Sequence, residues 1–465
     1  MKIVCQNEDL EKDMQDLVNL FYDDCPFSIV HNFSKNGQTI TSKIEIGDEK
    51  KRTFIKNFDI PTNLNALQEK SLLKRNFKNQ LYEILSSETK KTLPWGSLTG
   101  VRPTKFARDL VEKGEIKPHL LTETLTGQYH VSSEKAKLVG QILANQKCVI
   151  KNDNLVDLFI NIPICPTRCN YCSFISNELW TIKDKVETYL DCVIKEFEAV
   201  KKLIADRALI VRTIYIGGGT PSVLSPQQLE RLLSKIGYAV NEFTVECGRA
   251  DTITREKLDV LKKYGVTRIC INPQTFCEST LKKIGRKTTN KQVFDAYALA
   301  MEYDFVVNMD VIAGLGDERL GIFKRTINTI LELYPHNVTI HTLSIKNAAE
   351  IRGQEVKYAA DVPKMVEFAQ KTLLQNGYKP YYLYRQKHQV GGLENVGYFR
   401  NETPCMFNID SMEDLSSVIA IGAGAISKRV FNLENRIERE PNCKFIPDYI
   451  DRIDEMIEKK IKFFS

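Results

Sequence analysis

The sequence predicts an α/β protein whose central part is a parallel β-sheet. From residue 155 onward, short apolar runs alternate with helix-length amphipathic segments. Six successive strand-then-helix units imply parallel strands joined by right-handed crossovers, and both a doubly wound sheet and a barrel fit this pattern. The chain has 465 residues. At roughly 100–200 residues per domain, this length is enough for several domains and a large core.

The elements of this central part follow from runs of β-branched and aromatic residues separated by amphipathic stretches. The predicted strands are Leu158–Ile164, Thr213–Gly217, Glu242–Glu246, Arg268–Asn272, Phe305–Ile312 and Asn337–Leu343, with helices near 184–204, 226–236, 254–264, 290–303, 320–334 and 362–376. Lys379–Arg385 can add a further strand, and Asp448–Phe464 has the pattern of an amphipathic helix. Residues 153–390 therefore form the predicted core, followed by a C-terminal segment at 391–465.

The region before this core predicts a small α+β domain at residues 1–90. Short alternating strands at Phe27–Phe33, Thr39–Ile46 and Arg52–Phe58 are followed by a helical pattern from about Leu64 to Leu85. Residues 91–152 predict a helical connector that begins with the turn-rich segment Leu93–Pro103. Residues 51–150 carry more basic than acidic side chains, which fits either a solvated face or a docking surface for an anionic partner.

The composition is that of a globular protein with one unusual count, twelve cysteines. Hydrophobic residues make up 43% and charged residues 27%, which excludes a disordered, collagen-like or membrane-embedded chain. The net charge of +6 predicts neither a nucleic-acid nor a membrane partner. The charged N-terminus lacks the apolar segment of a signal peptide, so we expect a cytoplasmic protein whose thiols are core residues, metal ligands or catalytic groups.

The cysteine motif IPICPTRCNYCSF is the sharpest chemical feature of the sequence. Cys165, Cys169 and Cys172 have the spacing C-x3-C-x2-C directly after the first core strand. Cubane iron–sulfur clusters normally take four cysteines, so three would leave one iron open to another ligand. A zinc site or three unrelated core thiols are the alternatives. Zinc would need a fourth ligand, and no histidine occurs between His130 and His336.

A glycine-rich turn, YIGGGTPSVL at Tyr215–Leu224, ends the second core strand. Glycines allow a ligand to approach the backbone closely. Because active sites of parallel α/β folds collect at the carboxyl ends of strands, the turn and the cysteine loop are expected at the same end of the sheet.

These motifs resemble those of the radical S-adenosylmethionine (SAM) superfamily. IPxCxxxCxYCxF together with GGGTP is similar to the oxygen-independent coproporphyrinogen III dehydrogenase group. LTGVRPTK, PYYLYRQK, LENVGY and IGAGAISK resemble the HemZ branch of that group, so the similarity extends over nearly the whole chain. The resemblance implies a radical SAM partial (β/α)6 barrel with a small N-terminal α+β domain and a C-terminal helical extension.

The resemblance also implies the cofactors and their contacts. Cys165, Cys169 and Cys172 would ligate a 4Fe-4S cluster, whose open iron is chelated by the amino acid end of S-adenosylmethionine. The residues that match the family's S-adenosylmethionine contacts are Tyr171, Gly218, Gly219, Thr220, Glu246, Gln274, Arg286, Asp310 and Ser344. Within this set, Arg286 would meet the carboxylate and Asp310 the ribose hydroxyls, while Gly219 and Thr220 match contacts to a second S-adenosylmethionine.

The activity implied by the resemblance is oxidative decarboxylation of coproporphyrinogen III propionates to vinyl groups, which gives protoporphyrinogen IX. A flavodoxin- or ferredoxin-like protein would supply electrons, and Arg385 and Lys387 are candidates to meet the anionic propionates. Three positions depart from the dehydrogenase pattern, which has Tyr, His and Cys where this chain has Phe159, Asn161 and Phe174. A haem-binding carrier and a radical enzyme acting on haem or another tetrapyrrole are therefore the alternatives.

Two further features carry both a packing and a tetrapyrrole-binding interpretation. Tyr381, Tyr382 and Tyr384 alternate along a predicted strand, so one face can stack on a flat ring. His341 lies on the sixth core strand and either points into the barrel or is a satisfied core histidine.

Overall fold

The computed structural model describes residues 3–6, 8–22, 24–47, 49–62, 64–99, 102–146, 149–174, 176–345, 349–352, 356–386, 389–432, 434 and 436–465. The chain divides into two compact units. The first comprises residues up to Gln141 with two short later segments at 385–387 and 391–393, and the second comprises the rest. None of the helices formed by the described residues has the length and apolarity that crossing a lipid bilayer requires.

The first unit contains a four-stranded sheet covered by helices. Its elements, with the last continuing into the second unit, are β1 Ile3–Cys5, α1 Glu8–Val18, β2 Ile29–Asn36, β3 Thr39–Ile46, β4 Arg52–Asp59, α2 Ala66–Thr89, α3 Pro103–Glu112, α4 Leu121–Tyr129 and α5 Ser133–Asn145. The strand order is β1-β2-β3-β4, with β1 parallel to β2 and the other pairs antiparallel. The three strands and the helix that alternation and periodicity predicted are present. The sequence did not predict α1, nor β1, which has only three residues.

One apolar face of this sheet forms the core of the first unit. Buried and partly exposed residues alternate along β3, as expected for a strand with one covered face. Ile40 and Ile44 are fully buried in a cluster that also contains Phe77 and Leu81 of α2. A capping box starts α2, because Asn65 Oδ1 accepts from Gln68 N and the Gln68 side chain accepts from the Asn65 backbone.

The second unit is built on an eleven-stranded sheet. Its elements in chain order are β5 Leu155–Ile162, β6 Ile164–Cys165, β7 Asn177–Glu178, α6 Val186–Asp206, β8 Ile210–Gly218, α7 Pro226–Ile236, β9 Glu242–Val245, α8 Arg255–Lys263, β10 Arg268–Cys270, α9 Glu278–Lys283, α10 Asn290–Met301, β11 Val306–Ala313, α11 Leu320–Leu333, β12 Asn337–Thr342, α12 Val362–Gln375, β13 Lys379–Tyr384, β14 Asn395–Phe399, α13 Met406–Glu413, β15 Ser417–Ile421, β16 Ile426–Phe431, β17 Arg436–Pro441, α14 Ile446–Asp451 and α15 Ile453–Phe464.

Six of these strands form the predicted parallel array. The sheet order is β13-β14-β12-β11-β10-β9-β8-β5-β15-β16-β17, and the strands from β5 to β12 pair in parallel with their neighbours in the chain. Helices connect successive strands, so all six carboxyl ends lie at one end of the sheet. Local sequence signals determine where these helices begin and end. For example, α7 begins with a Ser225–Gln228 capping box and ends at Gly237, which has a φ of 62°.

The C-terminal segment contributes strands as well as the predicted helices. β15 pairs in parallel with β5, and β16 and β17 continue the sheet in antiparallel pairing. All five residues of β15 are buried, as expected for an apolar strand that is covered on both faces. The predicted final helix is split at Arg452 into α14 and α15.

A buried ion pair fastens this C-terminal segment to α6. Lys460 Nζ lies 3.1 Å from Glu196 Oε1, and both side chains are almost completely excluded from solvent. Glu196 also accepts hydrogen bonds from Tyr449 Oη at 2.7 Å and from the backbone N–H of Gly422 at 2.8 Å. Because every charge is paired and hydrogen-bonded, the network avoids the cost of an uncompensated buried ion.

Candidate functional site

The three cysteines of the motif lie on one loop after β5. Cys165 ends β6, which pairs with β7, and the backbone N–H of Cys172 donates to Cys169 O at 3.0 Å. Cys169 is buried, whereas the other two are partly exposed. All three are free thiols. The loop is therefore compact, with its thiols available for ligation.

Contacts with α9 hold this loop in place. The backbone N–H of Asn170 donates to Ile284 O at 3.1 Å, and its side-chain amide donates to Lys283 O at 3.0 Å. On the other flank, Glu178 accepts from the Arg168 backbone N–H at 2.8 Å. These hydrogen bonds fix the backbone between Cys165 and Cys172, and none of them involves a cysteine thiol.

Electrostatics shows that the three thiols share one environment. Burial raises the pKa of Cys172 to about 11, and the neighbouring Cys165 and Cys169 raise it further in the same direction. Burial also raises the pKa of Cys165. Since metals bind the thiolate, metal binding here would release protons. No three Cys, His, Asp or Glu side chains of the described residues are grouped tightly enough for a single metal ion.

The glycine turn after β8 packs against the strand that leads to Cys165. Gly218 has a φ of 102°, and a Cβ there would lie 1.7 Å from Asn161 Oδ1. A Cβ on Gly219 would lie 2.5 Å from Ile164 O. Thr220 donates through its backbone N–H to Ile164 O at 2.7 Å and through Oγ1 to Cys165 Sγ at 3.6 Å. Only glycines allow the turn to approach the cysteine loop this closely.

Glu246 follows β9 and shares a hydrogen bond with Tyr215 of β8. Tyr215 Oη donates to Glu246 Oε1 at 2.5 Å. Burial raises the pKa of Glu246 to about 7, and the nearby Asp310 carboxylate adds to the rise. Hydrogen bonds from Tyr215 and Gly218 act in the opposite direction. Glu246 is thus poised between its neutral and charged forms at neutral pH.

Asp310 on β11 is a second carboxylate in the same neighbourhood. Asn308 Nδ2 donates to its Oδ1 at 2.8 Å, and His341 Nε2 lies 3.5 Å from its Oδ2. Burial alone would raise the pKa of Asp310, but His341 and the hydrogen bonds to its carboxylate lower it below the ordinary value. Asp310 is therefore ionised at neutral pH.

Gln274 and Arg286 are buried side chains with unused hydrogen-bonding atoms. Gln274 has a φ of 64°, and its Oε1 accepts no hydrogen bond from the described residues. Arg286 donates through Nη2 to the backbone carbonyls of Gly248 and Asn272, yet its Nε has no partner among the described residues. A buried polar atom without a hydrogen-bond partner in the protein is normally satisfied by a ligand or by water. Both residues therefore fit a polar ligand.

Of the remaining predicted residues, Tyr171 lies on the loop after β5 and Ser344 lies directly after β12, both in the second unit. Tyr171 packs on a buried cluster that includes Leu281 and Ile284. Ser344 follows β12 and forms an isolated bridge with Gln389. Arg385 belongs to the first unit, where it donates to Leu98 O and Gly392 O, so its guanidinium already has backbone partners. Lys387 lies outside the described residues.

The three departures from the dehydrogenase pattern have distinct surroundings. Asn161 donates to Ala423 O at 2.5 Å, and its side chain fills the space beneath Gly218. The ring of Phe159 packs near Tyr215 and Phe407. Phe174 exposes 67% of its surface. Asn161 thus has a packing role of its own, linking the glycine turn to the C-terminal segment.

Sequence reasoning missed two partners of the site, Tyr215 and Asn308. A strand places residues two apart on the same face, so Asn308 shares a face with Asp310, and Tyr215 shares one with Gly217. A position two residues before Asp310, or before Gly217 of the glycine-rich turn, is the signal that could have found them. Their hydrogen-bond partners lie on neighbouring strands and required the register.

The donor set fits the two cofactors that the sequence suggests. Three thiols on one loop can ligate a cluster, and two glycines leave room where a Cβ would clash. Two carboxylates, an orphaned amide oxygen and an orphaned guanidinium N–H are complementary to an ammonium, hydroxyls and a carboxylate. The neighbourhood can therefore hold an amino-acid nucleoside beside an iron–sulfur cluster.

Comparisons with known proteins agree with this description. Residues 160–330 match the family model described as the radical SAM superfamily. Over 98% of its length the chain is 33% identical to the oxygen-independent coproporphyrinogen-III oxidase-like protein HemZ of Bacillus subtilis (strain 168), covering 96% of that protein. It is also 31% identical to the heme chaperone HemW of Lactococcus lactis, over 52% of this chain and 66% of that protein.

A solved structure supports the fold. Coproporphyrinogen III oxidase (HemN) from Escherichia coli superimposes with a TM-score of 0.50 at 20% identity, over 70% of this chain and 73% of that one. The predicted radical SAM α/β fold is thus confirmed. The near-full-length identity to HemZ shows the family: the chain belongs to the radical SAM superfamily and, within it, to the HemN/HemZ-like family of coproporphyrinogen oxidase-like proteins.

Proposed function

We propose that this chain is a radical SAM oxidoreductase that converts coproporphyrinogen III propionates to vinyl groups without oxygen. The observation that carries the proposal is the cysteine loop packed on the glycine turn, next to two buried carboxylates. The substrate class comes from the names of the relatives, coproporphyrinogen-III oxidase-like protein and coproporphyrinogen III oxidase.

Each residue of the site has a defined task in this proposal. Cys165, Cys169 and Cys172 hold the 4Fe-4S cluster. When bound, these cofactors would supply the radical chemistry that removes a hydrogen atom from the propionate chain. Loss of carbon dioxide and one electron from that chain would then leave the vinyl group. In its charged form Glu246 attracts the ammonium of the cofactor, while Asp310 accepts hydrogen bonds from its ribose hydroxyls.

The other predicted contacts position the cofactor. Arg286 Nε donates to the carboxylate of S-adenosylmethionine, and Gln274 Oε1 accepts a hydrogen bond from a polar group of the same cofactor. Tyr171 presents its backbone to the adenine, Gly218 contacts the methionyl end, and Ser344 adds a minor contact. Gly219 and Thr220 contact a second S-adenosylmethionine. A flavodoxin- or ferredoxin-like protein donates the electrons.

Aromatic rings restrict water near the carboxylates. The rings of Tyr215 and Phe407 stack at 4.4 Å between centroids, and Tyr381 and Tyr382 belong to the same buried cluster. Tyr382 and Tyr384 have nearly parallel rings 6.2 Å apart. Tyr381 and Tyr382 are almost fully buried, which favours packing over stacking on a substrate for these two residues.

The direct test is anaerobic turnover with the reconstituted protein. We expect coproporphyrinogen III, S-adenosylmethionine and a low-potential reductant to yield protoporphyrinogen IX, carbon dioxide and 5′-deoxyadenosine, measured by mass spectrometry. Cys169→Ala should abolish all three products, and Cys443→Ala, a free thiol outside the motif, should retain them. Deoxyadenosine formed without a vinyl product would refute the substrate while leaving the reaction class intact.

A haem carrier is the second candidate, because the chain is also similar to the heme chaperone HemW. Stoichiometric haem binding by the full chain, with no product formed from coproporphyrinogen III, would favour it. Offering haem and other tetrapyrroles in the same assay, with product masses as the readout, separates a carrier from a radical enzyme acting on another tetrapyrrole.

A further inference from the structure

Side chains from β13, β12 and β11 form a continuous polar chain inside the second unit, although β14 lies between β13 and β12 in the sheet. Tyr384 of β13 has its Oη 3.2 Å from His341 Nδ1 on β12. The opposite ring nitrogen, Nε2, lies 3.5 Å from Asp310 Oδ2 on β11. The side chains of His341 and Asp310 are only 25% and 19% exposed. The imidazole thus bridges a phenol and a carboxylate.

The strand register explains why His341 meets Asp310. Asp310 is directly opposite Thr339, and His341 is opposite Ile312, so the contact is a diagonal one between residues that share a face. Thr339 Oγ1 donates to Asn308 Oδ1 at 3.2 Å, and Asn308 Nδ2 donates to Asp310 Oδ1 at 2.8 Å. Each Asp310 oxygen is therefore held by a different neighbour.

This arrangement leaves Asp310 with spare acceptor capacity in a fixed orientation. An ionised carboxylate has about four lone-pair sites, and Asn308, His341 and the Thr339 hydroxyl use at most three of them. A site therefore remains for a ribose hydroxyl of the ligand. A carboxylate held at both oxygens loses little freedom when it binds, which favours affinity.

The ionised Asp310 carboxylate favours the form of the imidazole that carries a proton on Nε2, the nitrogen that faces it. In the neutral ring with that proton, Nδ1 accepts a hydrogen bond from the Tyr384 hydroxyl. A doubly protonated ring would also donate from Nε2. In either state the ring cannot rotate without losing the Tyr384 contact, so the donor to Asp310 stays in place.

We propose that His341 is a positioning residue that orients the Asp310 carboxylate toward the ribose hydroxyls of S-adenosylmethionine, and that Tyr384 holds the His341 ring. The inference rests on the proposed function, because it assigns Asp310 to those hydroxyls. It adds a role to two side chains that touch neither the cysteine loop nor the glycine turn in the contacts described above.

The test compares two ligands on the reconstituted full chain, kept anaerobic and without reductant so that the cofactor stays intact. One ligand is S-adenosylmethionine, and the other is its analogue lacking both ribose hydroxyls. His341→Phe should weaken S-adenosylmethionine about tenfold, the scale of one lost hydrogen bond to a charged group, and leave the analogue unchanged. His341→Gln, whose amide nitrogen can reach the position of Nε2, should recover part of the loss.

Two tyrosine variants complete the design. Tyr384→Phe should weaken S-adenosylmethionine about threefold, since the ring remains but its partner is lost. Tyr382→Phe is the matched control, because its hydroxyl lies 3.4 Å from the Thr339 hydroxyl rather than beside His341, and we expect no change. Asp310→Asn combined with His341→Phe should bind S-adenosylmethionine no more weakly than Asp310→Asn alone.

The outcomes separate the inference from the function on which it rests. Equal weakening of both ligands by His341→Phe would mean a general structural role and overturn the inference, as would unchanged affinity in all His341 variants. If His341→Phe does not fold, judged by its circular dichroism, His341→Gln and Tyr384→Phe carry the same comparison. Failure of the unaltered protein to bind S-adenosylmethionine would overturn the proposed function itself.

Discussion

The protonation state of Glu246 makes S-adenosylmethionine binding depend on pH. Its pKa in the free protein is raised to about 7 from an ordinary value of 4.5, chiefly because the carboxyl is buried. An ammonium group binds the charged form, so binding below this pKa must first remove a proton. The apparent dissociation constant should therefore rise as pH falls, about tenfold from pH 8 to pH 6 and about another tenfold by pH 5. The slope approaches roughly 1.4 kcal/mol per pH unit only below the pKa.

Calorimetric titration of the anaerobic, unreduced protein between about pH 5.5 and 8 measures this dependence. Near pH 7 the binding should release about half a proton, which buffers of different ionisation enthalpy reveal. Glu246→Gln should bind more weakly at pH 8 and lose the slope. A flat profile in the unaltered protein, or a slope unchanged in Glu246→Gln, would refute the reasoning.

The same raised pKa has a consequence for the cluster-free protein. Because folded Glu246 holds its proton more tightly than the unfolded chain does, its contribution to stability is present below about pH 4.5 and is lost as pH rises through about 7. The contribution amounts to up to about 3 kcal/mol, less any screening by solvent at this partly exposed group. Urea unfolding of the unaltered protein and of Glu246→Gln at about pH 5 and pH 8 should show their stability difference changing in that direction.

Two substitutions test the local geometry of the site. Cys165→Ala should lower the iron and sulfide bound after anaerobic reconstitution to background, and Cys443→Ala should bind the full amount; equal iron content in both would contradict the ligand assignment. Gly218→Ala should abolish S-adenosylmethionine binding and destabilise the fold by about 1–3 kcal/mol in thermal unfolding, because its Cβ would overlap Asn161 at a positive φ. Gly237→Ala, with a φ of 62° but open space around its Cβ, should cost about 1 kcal/mol without affecting binding.

The six-strand array could be predicted from sequence because its signals are local. A strand buried on both faces is a continuous apolar run, and its helices carry capping residues and terminal glycines. The position of Glu246 after β9 also follows from such signals. Its hydrogen bond to Tyr215 does not, because that bond depends on β8 and β9 pairing side by side with a particular register.

The C-terminal strands show more clearly that strand pairing cannot be predicted from local sequence signals. β15 pairs with β5, although more than half of the chain lies between them in sequence. Its apolar run was visible, but neither composition nor periodicity states which edge of a sheet a strand will join. The contacts of Tyr384 with His341 and of His341 with Asp310 could not be predicted for the same reason. They depend on the order of the strands in the sheet, where β14 lies between β13 and β12.

The pairing of β15 with β5 also bears on how the protein is synthesised. On one side β5 is bordered by β8, which follows it closely, while its other side stays open until Ser417–Ile421 leaves the ribosome. An unpaired strand edge is a template for association with other chains, and large proteins are most exposed to this before their last elements arrive. The strand that precedes the cysteine loop is thus completed late in synthesis. If the iron–sulfur cluster bound before β15 had been synthesised, the edge of β5 beside the cysteine loop would still be unpaired.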